Sequence, residues 1–384
     1  MPDRLLTNLI EPFERNFREC GELGASVSVF VGDQEVLNLS QGYADREQTR
    51  PWTAETLVPV WSATKGPAAL SCLLALEEAG VSLESPVAEV WPEFAASGKQ
   101  EITLRVMLAH GAGLAALDSP VPMHDYQAVI KALEDQSPVY APHTKQAYHA
   151  RTFGFLLEEI VRRLSHADSL GQYFHERIAR PMGLDFWIGL PPEQLPRVAT
   201  LYPGKMTAGV KPDAFLQSFL TRGTLTQRAF ASPTGLNAIQ DMNKPETLAQ
   251  GYASMGGVST ARALAAFYGM LSNQGVWNGQ KLVSDAILLA LESTQTQDVD
   301  GVLCSPIGFS AGLMRDAIYE HGEKIRPLLG RGLRAFGHPG AGGSLAFGDP
   351  ERKLSFAYVM NQMTPGALPG GKALSLVAAL DAAM

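Results

Sequence analysis

Apolar and polar positions alternate through GASVSVFVGDQEVLNLSQGYAD, residues 24–45, in two runs parted by Gly32 and Asp33. Period-two alternation on either side of a short Gly-Asp turn predicts a β-hairpin. A second hairpin is predicted near the other end, where SLAFGDPERKLSFAYVMNQM places two β-rich runs around GDPERK. GGKALSLVAALDAAM then reads as a closing helix, and MPDRLLTNLIEPFERNF as an amphipathic helix at the start. Between the hairpins the period changes. ITLRVMLAHGAGL, MHDYQAVIKALED and TFGFLLEEIVRRLSHADSLGQYFHERIARPMGL carry apolar residues at helical spacing. PPEQLPR and LYPGKMTAGVKPD read as connections. STARALAAFYGMLSNQG is a further helix, capped by Ser259 or Thr260 and ended near Gly275. The order predicts an α+β fold: an antiparallel sheet flanked by helices, with a mainly helical inserted domain. The α/β sandwich would be discontinuous, residues 1–80 and 250–384, and the helical domain would span 81–249.

Composition narrows the picture. The 384 residues are 46% apolar and 18% charged, with a net charge of −8. That balance suits a packed globular protein, and the absence of a Lys/Arg cluster argues against a nucleic-acid partner. Cys20, Cys72 and Cys304 have no metal-ligand spacing and are odd in number, so neither a metal site nor a disulfide framework is expected. No apolar run reaches the roughly 18–20 residues that span a bilayer, and the first residues do not read as a secretion signal. A cytoplasmic protein without a membrane partner or cofactor is expected.

Candidate chemistry begins at VPVWSATKGPAALSCLLAL, residues 58–76, where Ser62 and Lys65 lie three positions apart at a predicted helix start. That spacing puts the amine about one turn from the hydroxyl. A serine hydroxyl needs a neighbouring group to take its proton, and a buried lysine with a lowered pKa can do so. The plain alternative is an N-cap serine and a solvated first-turn lysine. Pro67 supports a helix start nearby. Two further segments bear on the choice. FGHPGAGGSLAFGDP is a glycine-dense turn leading into a strand, and PHTKQAYHARTFGFLLEEIVRR holds Tyr148 just ahead of an amphipathic helix.

Taken in order, WSATKG, ITLRVMLAHGAGL, PHTKQAYHARTFGFLLEEIVRR, GYASMGGVSTARALAAFYGML and FGHPGAGGSLAFGDP…FAYVMNQM resemble the serine β-lactamase and penicillin-binding-protein superfamily. Within it they look most like class C β-lactamases and family VIII carboxylesterases. The resemblance implies a β-lactamase-like fold with the site between its two parts. It implies Ser62 as acylated nucleophile, Lys65 as its proton partner and Tyr148 as second base or acid. The backbone N–H groups of Ser62 and Ala341 would form the oxyanion hole. His338, Gly340, Trp61 and His149 would line the substrate site.

Three departures from the family pattern favour an esterase. Tyr148-His149-Ala150 stands where Y-x-N is expected, S-D-N is absent, and His338-Pro339-Gly340 replaces K-T-G. A lysine at the last motif would hold a permanent cation beside a substrate carboxylate, whereas a histidine is mostly neutral at pH 7. The expected activity is hydrolysis of small carboxylic esters through an acyl-enzyme on Ser62. The alternatives are a β-lactamase, a D-amino-acid peptidase or an acyltransferase of the same superfamily, and, from another class, a non-catalytic or filament-forming relative. The expected partner is a small-molecule ester, and oligomerisation is left open. No G-x-S-x-G elbow, H-E-x-x-H or P-loop competes, since GGSLA fails at its last position and GRGLRAFG lacks the third glycine of G-x-G-x-x-G.

Overall fold

A computed structural model describes residues 2–205 and 211–384. Residues 206–210, within the LYPGKMTAGVKPD connection, lie outside the described residues. The chain opens with helix α1 (Pro2–Glu19) and the predicted hairpin, β1 (Gly24–Val31) and β2 (Gln34–Gly42), turned by Gly32 at φ 63°. Strand β3 (Val58–Trp61) leads through a 3₁₀ turn, Ser62–Thr64, into α2 (Lys65–Glu78). Helices α3 (Val87–Val90), α4 (Leu104–Leu108), α5 (Tyr126–Asp135), α6 (Thr152–Ser165), α7 (Leu170–Phe174) and α8 (Arg180–Met182) follow. After β4 (Phe186–Ile188) come α9 (Ala214–Leu220), α10 (Leu225–Ala231) and α11 (Pro245–Gln250). The last third runs β5 (Gly257–Ser259), α12 (Ala261–Ser272), the small hairpin β6 (Val276–Trp277) and β7 (Gln280–Lys281), and α13 (Asp285–Glu292). It ends with β8 (Thr296–Val299), β9 (Pro306–Phe309), β10 (Met314–Arg315), β11 (Phe336–Pro339), β12 (Leu345–Asp349), β13 (Leu354–Met360) and α14 (Gly371–Ala383).

Eight strands form one antiparallel sheet in the order β2-β1-β13-β12-β11-β10-β9-β8, so the two predicted hairpins meet along β1 and β13. Their register pairs Ala25 with Met360 and Val31 with Leu354. Strand alternation then assigns the two faces. Ser355 Oγ donates to Ala265 O of α12, whereas Tyr358, three residues on, turns to the other face. There its hydroxyl meets Glu22, which also accepts from Lys372 of α14 at 3.0 Å. Helices thus cover both faces, and β12 and β13 are buried along their whole length. A smaller sheet orders β3-β5-β4, with β4 coming from the helix-rich middle of the chain.

Helix α2 is apolar on nearly every side, which suits a helix enclosed by other elements. It packs on α6 and α7 along one side and reaches β11 and α13 on another. Local details depart from the sequence reading. The helical run predicted over 152–184 breaks at His166, which takes a left-handed conformation (φ 58°), and resumes at Ser169, whose side chain caps α7. ITLRVMLAHGAGL keeps only five helical residues, stopped by left-handed His110. Thr260, rather than Ser259, caps α12 by accepting from Ala263 N. No helix among the described residues is long and apolar enough to cross a membrane.

Candidate active site

Strand β3 delivers the chain to Trp61, which adopts φ 49° and ψ −131°, a strained conformation for a non-glycine residue. The sharp turn leaves Ser62 half-buried at the head of the 3₁₀ turn. Thr64 holds it by donating to Trp61 O and accepting from Gly257 N at 2.9 Å. Gly257 is required there, because a Cβ would lie 2.6 Å from Thr64 Oγ1. Ser62 is not a side-chain N-cap, and Lys65 is not solvated: its side chain is wholly buried.

The Lys65 ammonium nitrogen donates to Ala150 O and Ser254 O, each at 2.9 Å, and lies 3.4 Å from Ser62 Oγ. Burial alone holds its pKa well below the usual lysine value. A neutral amine has two N–H groups and one lone pair. With both N–H groups taken by carbonyls, the lone pair is left for the Ser62 hydroxyl.

Tyr148 is only 2% exposed, yet it is buried against the other two groups. Lys65 Nζ stands 4.7 Å from its ring centre, and its hydroxyl interacts with Ser62. Burial raises the phenol pKa, opposed by the Ser62 hydrogen bond and reinforced by the Asp300 charge. Asp300 Oδ1 positions this residue from behind, accepting from Tyr148 N at 3.1 Å, Val302 N at 2.9 Å and Leu303 N at 2.7 Å. The ring stacks parallel to Phe309 and tilts against His110 and His338.

The opposite wall is the end of β11, which packs on the 3₁₀ turn. Gly340 comes so close that a Cβ would meet Val60 O at 2.2 Å. Gly340 N donates to Ser344 O and Gly342 N to Gly366 O, whereas the Ala341 N–H between them has no partner among the described residues. His338 is 1% exposed. Its Nδ1–H is committed to Pro339 O at 2.7 Å and its Nε2 is left without a partner. Burial above all pushes its pKa down to about 3, so it is neutral at pH 7. Trp61 is half-exposed with its indole N–H unpartnered.

His149, expected among the substrate-binding residues, is structural instead. It is fully buried, Nδ1 donates to Ala147 O at 2.8 Å and Nε2 accepts from Leu114 N at 3.1 Å, so neither nitrogen is free for a ligand. The sequence reading also missed contributors. Ser254 acts through a main-chain carbonyl, which leaves no mark on residue type. His110 supports Tyr148 at 5.0 Å between ring centres and accepts His149 N on Nδ1. Its only signal was a histidine closing a short predicted helix. No group of three or more metal-ligating side chains occurs among the described residues.

The chain as a whole is similar to known proteins. The family model described as Beta-lactamase matches residues 13–380. The esterase/beta-lactamase LipL of Mycobacterium tuberculosis is 31% identical over 347 residues, covering 88% of this chain and 77% of that protein. A penicillin-binding-protein homologue from Caulobacter crescentus is 33% identical with a TM-score of 0.86, covering 100% of this chain and 98% of its own. A family VIII carboxylesterase structure is 30% identical with a TM-score of 0.87, covering 99% and 98%. Matched by that family model over nearly its whole length, this protein belongs to the beta-lactamase family, within the serine β-lactamase and penicillin-binding-protein superfamily.

Proposed function

We propose that the protein is a serine carboxylesterase that hydrolyses small, uncharged esters through an acyl-enzyme on Ser62. The observation that carries the reading is Lys65, wholly buried, bonded to two carbonyls and 3.4 Å from Ser62 Oγ. Such an amine is suited to accept the serine proton. Ser62 Oγ attacks the ester carbonyl carbon as its proton passes to Lys65 Nζ. The oxyanion that forms is met by the N–H groups of Ser62 and Ala341, each worth on the order of 3 kcal/mol in such a role. Tyr148 protonates the departing alkoxide and is reprotonated from Lys65, leaving the acyl group on Ser62. Water then attacks that ester and gives its proton to the same pair, which passes it to Ser62 Oγ as the acyl–oxygen bond breaks and the carboxylic acid leaves.

Esters are favoured over β-lactams by His338, which is neutral where a K-T-G lysine would attract a carboxylate. The name of the family VIII carboxylesterase agrees with this direction, and that of LipL names both activities. The test is intact-mass measurement after a fluorophosphonate, with p-nitrophenyl acetate and a chromogenic cephalosporin as paired substrates. One adduct on the native chain, none on Ser62→Ala, a loss of ester turnover on the order of 10³-fold or more, and faster ester than cephalosporin cleavage are expected. Equal labelling of Ser62→Ala would refute the nucleophile, and faster cephalosporin cleavage would refute the esterase assignment.

A further inference from the structure

A cavity of about 210 Å³, which the ester mechanism does not use, adjoins the backbone that holds Lys65. Gly154, Ala253 and Ser254 line one side of it, whereas neither Ser62 nor Lys65 does. Gly154 packs on this segment so closely that a Cβ would lie 2.4 Å from Ser254 N. Ser254 also gives its carbonyl to Lys65 Nζ at 2.9 Å, so a single residue separates the cavity from the catalytic lysine. The volume has room for a small molecule rather than a single water.

Helix α6 carries two successive pairs of opposite charge at i,i+4 spacing. Glu159 and Arg163 close on each other at 2.7 Å, the usual outcome for such a pair. Glu158 and Arg162 have the same spacing and both line the cavity, yet they make no ion pair. The Arg162 guanidinium lies over the ring of Tyr126 instead, 4.7 Å from its centre, with no hydrogen bond or ion pair among the described residues. Tyr126 is itself fixed by donating from its hydroxyl to Glu159 Oε2 at 2.5 Å. Glu158 accepts from Leu170 N on Oε1 at 3.1 Å, and no donor among the described residues meets Oε2. Burial raises its pKa to about 7, against the Leu170 hydrogen bond and the Arg162 charge. The rings of Phe155 and Tyr252, 6.3 Å apart between centres, add an apolar wall.

We propose that this cavity binds one free α-amino acid with an apolar side chain, its ammonium on Glu158, its carboxylate on Arg162 and its side chain on Phe155 and Tyr252. Side chains at i and i+4 are neighbours on a helix face, close enough for one zwitterion to meet both. A ligand with a single charge would satisfy one of them and leave the other unpaired. Isothermal titration calorimetry with each enantiomer of leucine, with 3-methylbutylamine and with 4-methylpentanoate reads the site, because the last two keep the skeleton and drop one charge each. One leucine enantiomer should bind about tenfold or more tighter than either analogue. Arg162→Met should weaken leucine about tenfold while leaving 3-methylbutylamine no weaker, and Glu158→Gln should do the same while sparing 4-methylpentanoate. Arg162 is partly exposed, so its variant keeps the test available if Glu158→Gln does not fold. A fluorophosphonate on Ser62 should leave leucine affinity unchanged. No binding of either enantiomer, equal binding of a single-charge analogue, indifference to Arg162→Met, or loss of leucine binding once Ser62 is labelled overturns the proposal. None of these readouts needs turnover, so its failure leaves the ester-hydrolase reading standing.

Discussion

At the scale of single residues, burial disfavours the charged form of two side chains at the site. Lys65 is the clearer case, with its pKa well below the lysine norm because the interior penalises the ammonium form. In the proposed mechanism its neutral form is the proton acceptor, so kcat/KM for an ester should climb with pH through an apparent pKa well under 10.5. Lys65→Ala should cost on the order of 10³-fold and erase that limb. A pH–rate profile identical in the variant would dissociate the lysine from proton transfer. His338 makes the opposite test possible. His338→Lys restores the side chain of the K-T-G pattern and should shift the ratio of cephalosporin to ester cleavage upward by about tenfold, the effect of roughly 1.4 kcal/mol of added attraction for a carboxylate. A ratio that does not move would show that charge at this position does not select the substrate.

At the scale of elements, the proposed oxyanion hole depends on how closely two strand ends approach. The end of β11 can lie against β3 only because Gly340 has no Cβ. Gly340→Ala brings a methyl group to 2.2 Å from Val60 O, which must push the Ala341 N–H away from Ser62. We expect kcat to fall about 10²-fold, as when one oxyanion donor is removed, with a stability loss of about 1–3 kcal/mol. Crystallography of the variant, showing β11 unmoved and activity retained, would contradict this. The predicted hairpins were legible because both alternation and turn residues are local properties. The breaks at His110 and His166 were not, because helical periodicity does not encode where a left-handed residue ends a helix.

At the scale of the whole molecule, the buried histidines make folding sensitive to acid. His149 has its pKa pushed down to about 4 and His338 to about 3, while unfolded histidine titrates near 6.5. The unfolded chain therefore binds more protons below about pH 6.5. The stabilising contribution of these groups is complete above that value and is lost as pH falls toward 4. Glu158, its pKa raised to about 7 by burial, works in the opposite sense, gaining a proton on folding in the same window. A difference measurement isolates the histidine effect. His149→Gln can keep both main-chain hydrogen bonds without titrating, and should remove about 2 kcal/mol of the stability change between pH 7 and pH 5. Urea unfolding at the two pH values checks this, and an identical change in both proteins would refute it.

The sequence by itself determined the two hairpins, the helix that begins at the lysine just after the serine, and the three side chains that meet. Each of these is written in spacing or in the residue type that a reaction needs. Only the tertiary structure decided that Lys65 is buried on two carbonyls from distant segments, that His338 is buried with Nδ1 bound to Pro339 O, and that both nitrogens of His149 are taken by the main chain. Burial and main-chain partners belong to the packed chain, and residue type alone does not specify them.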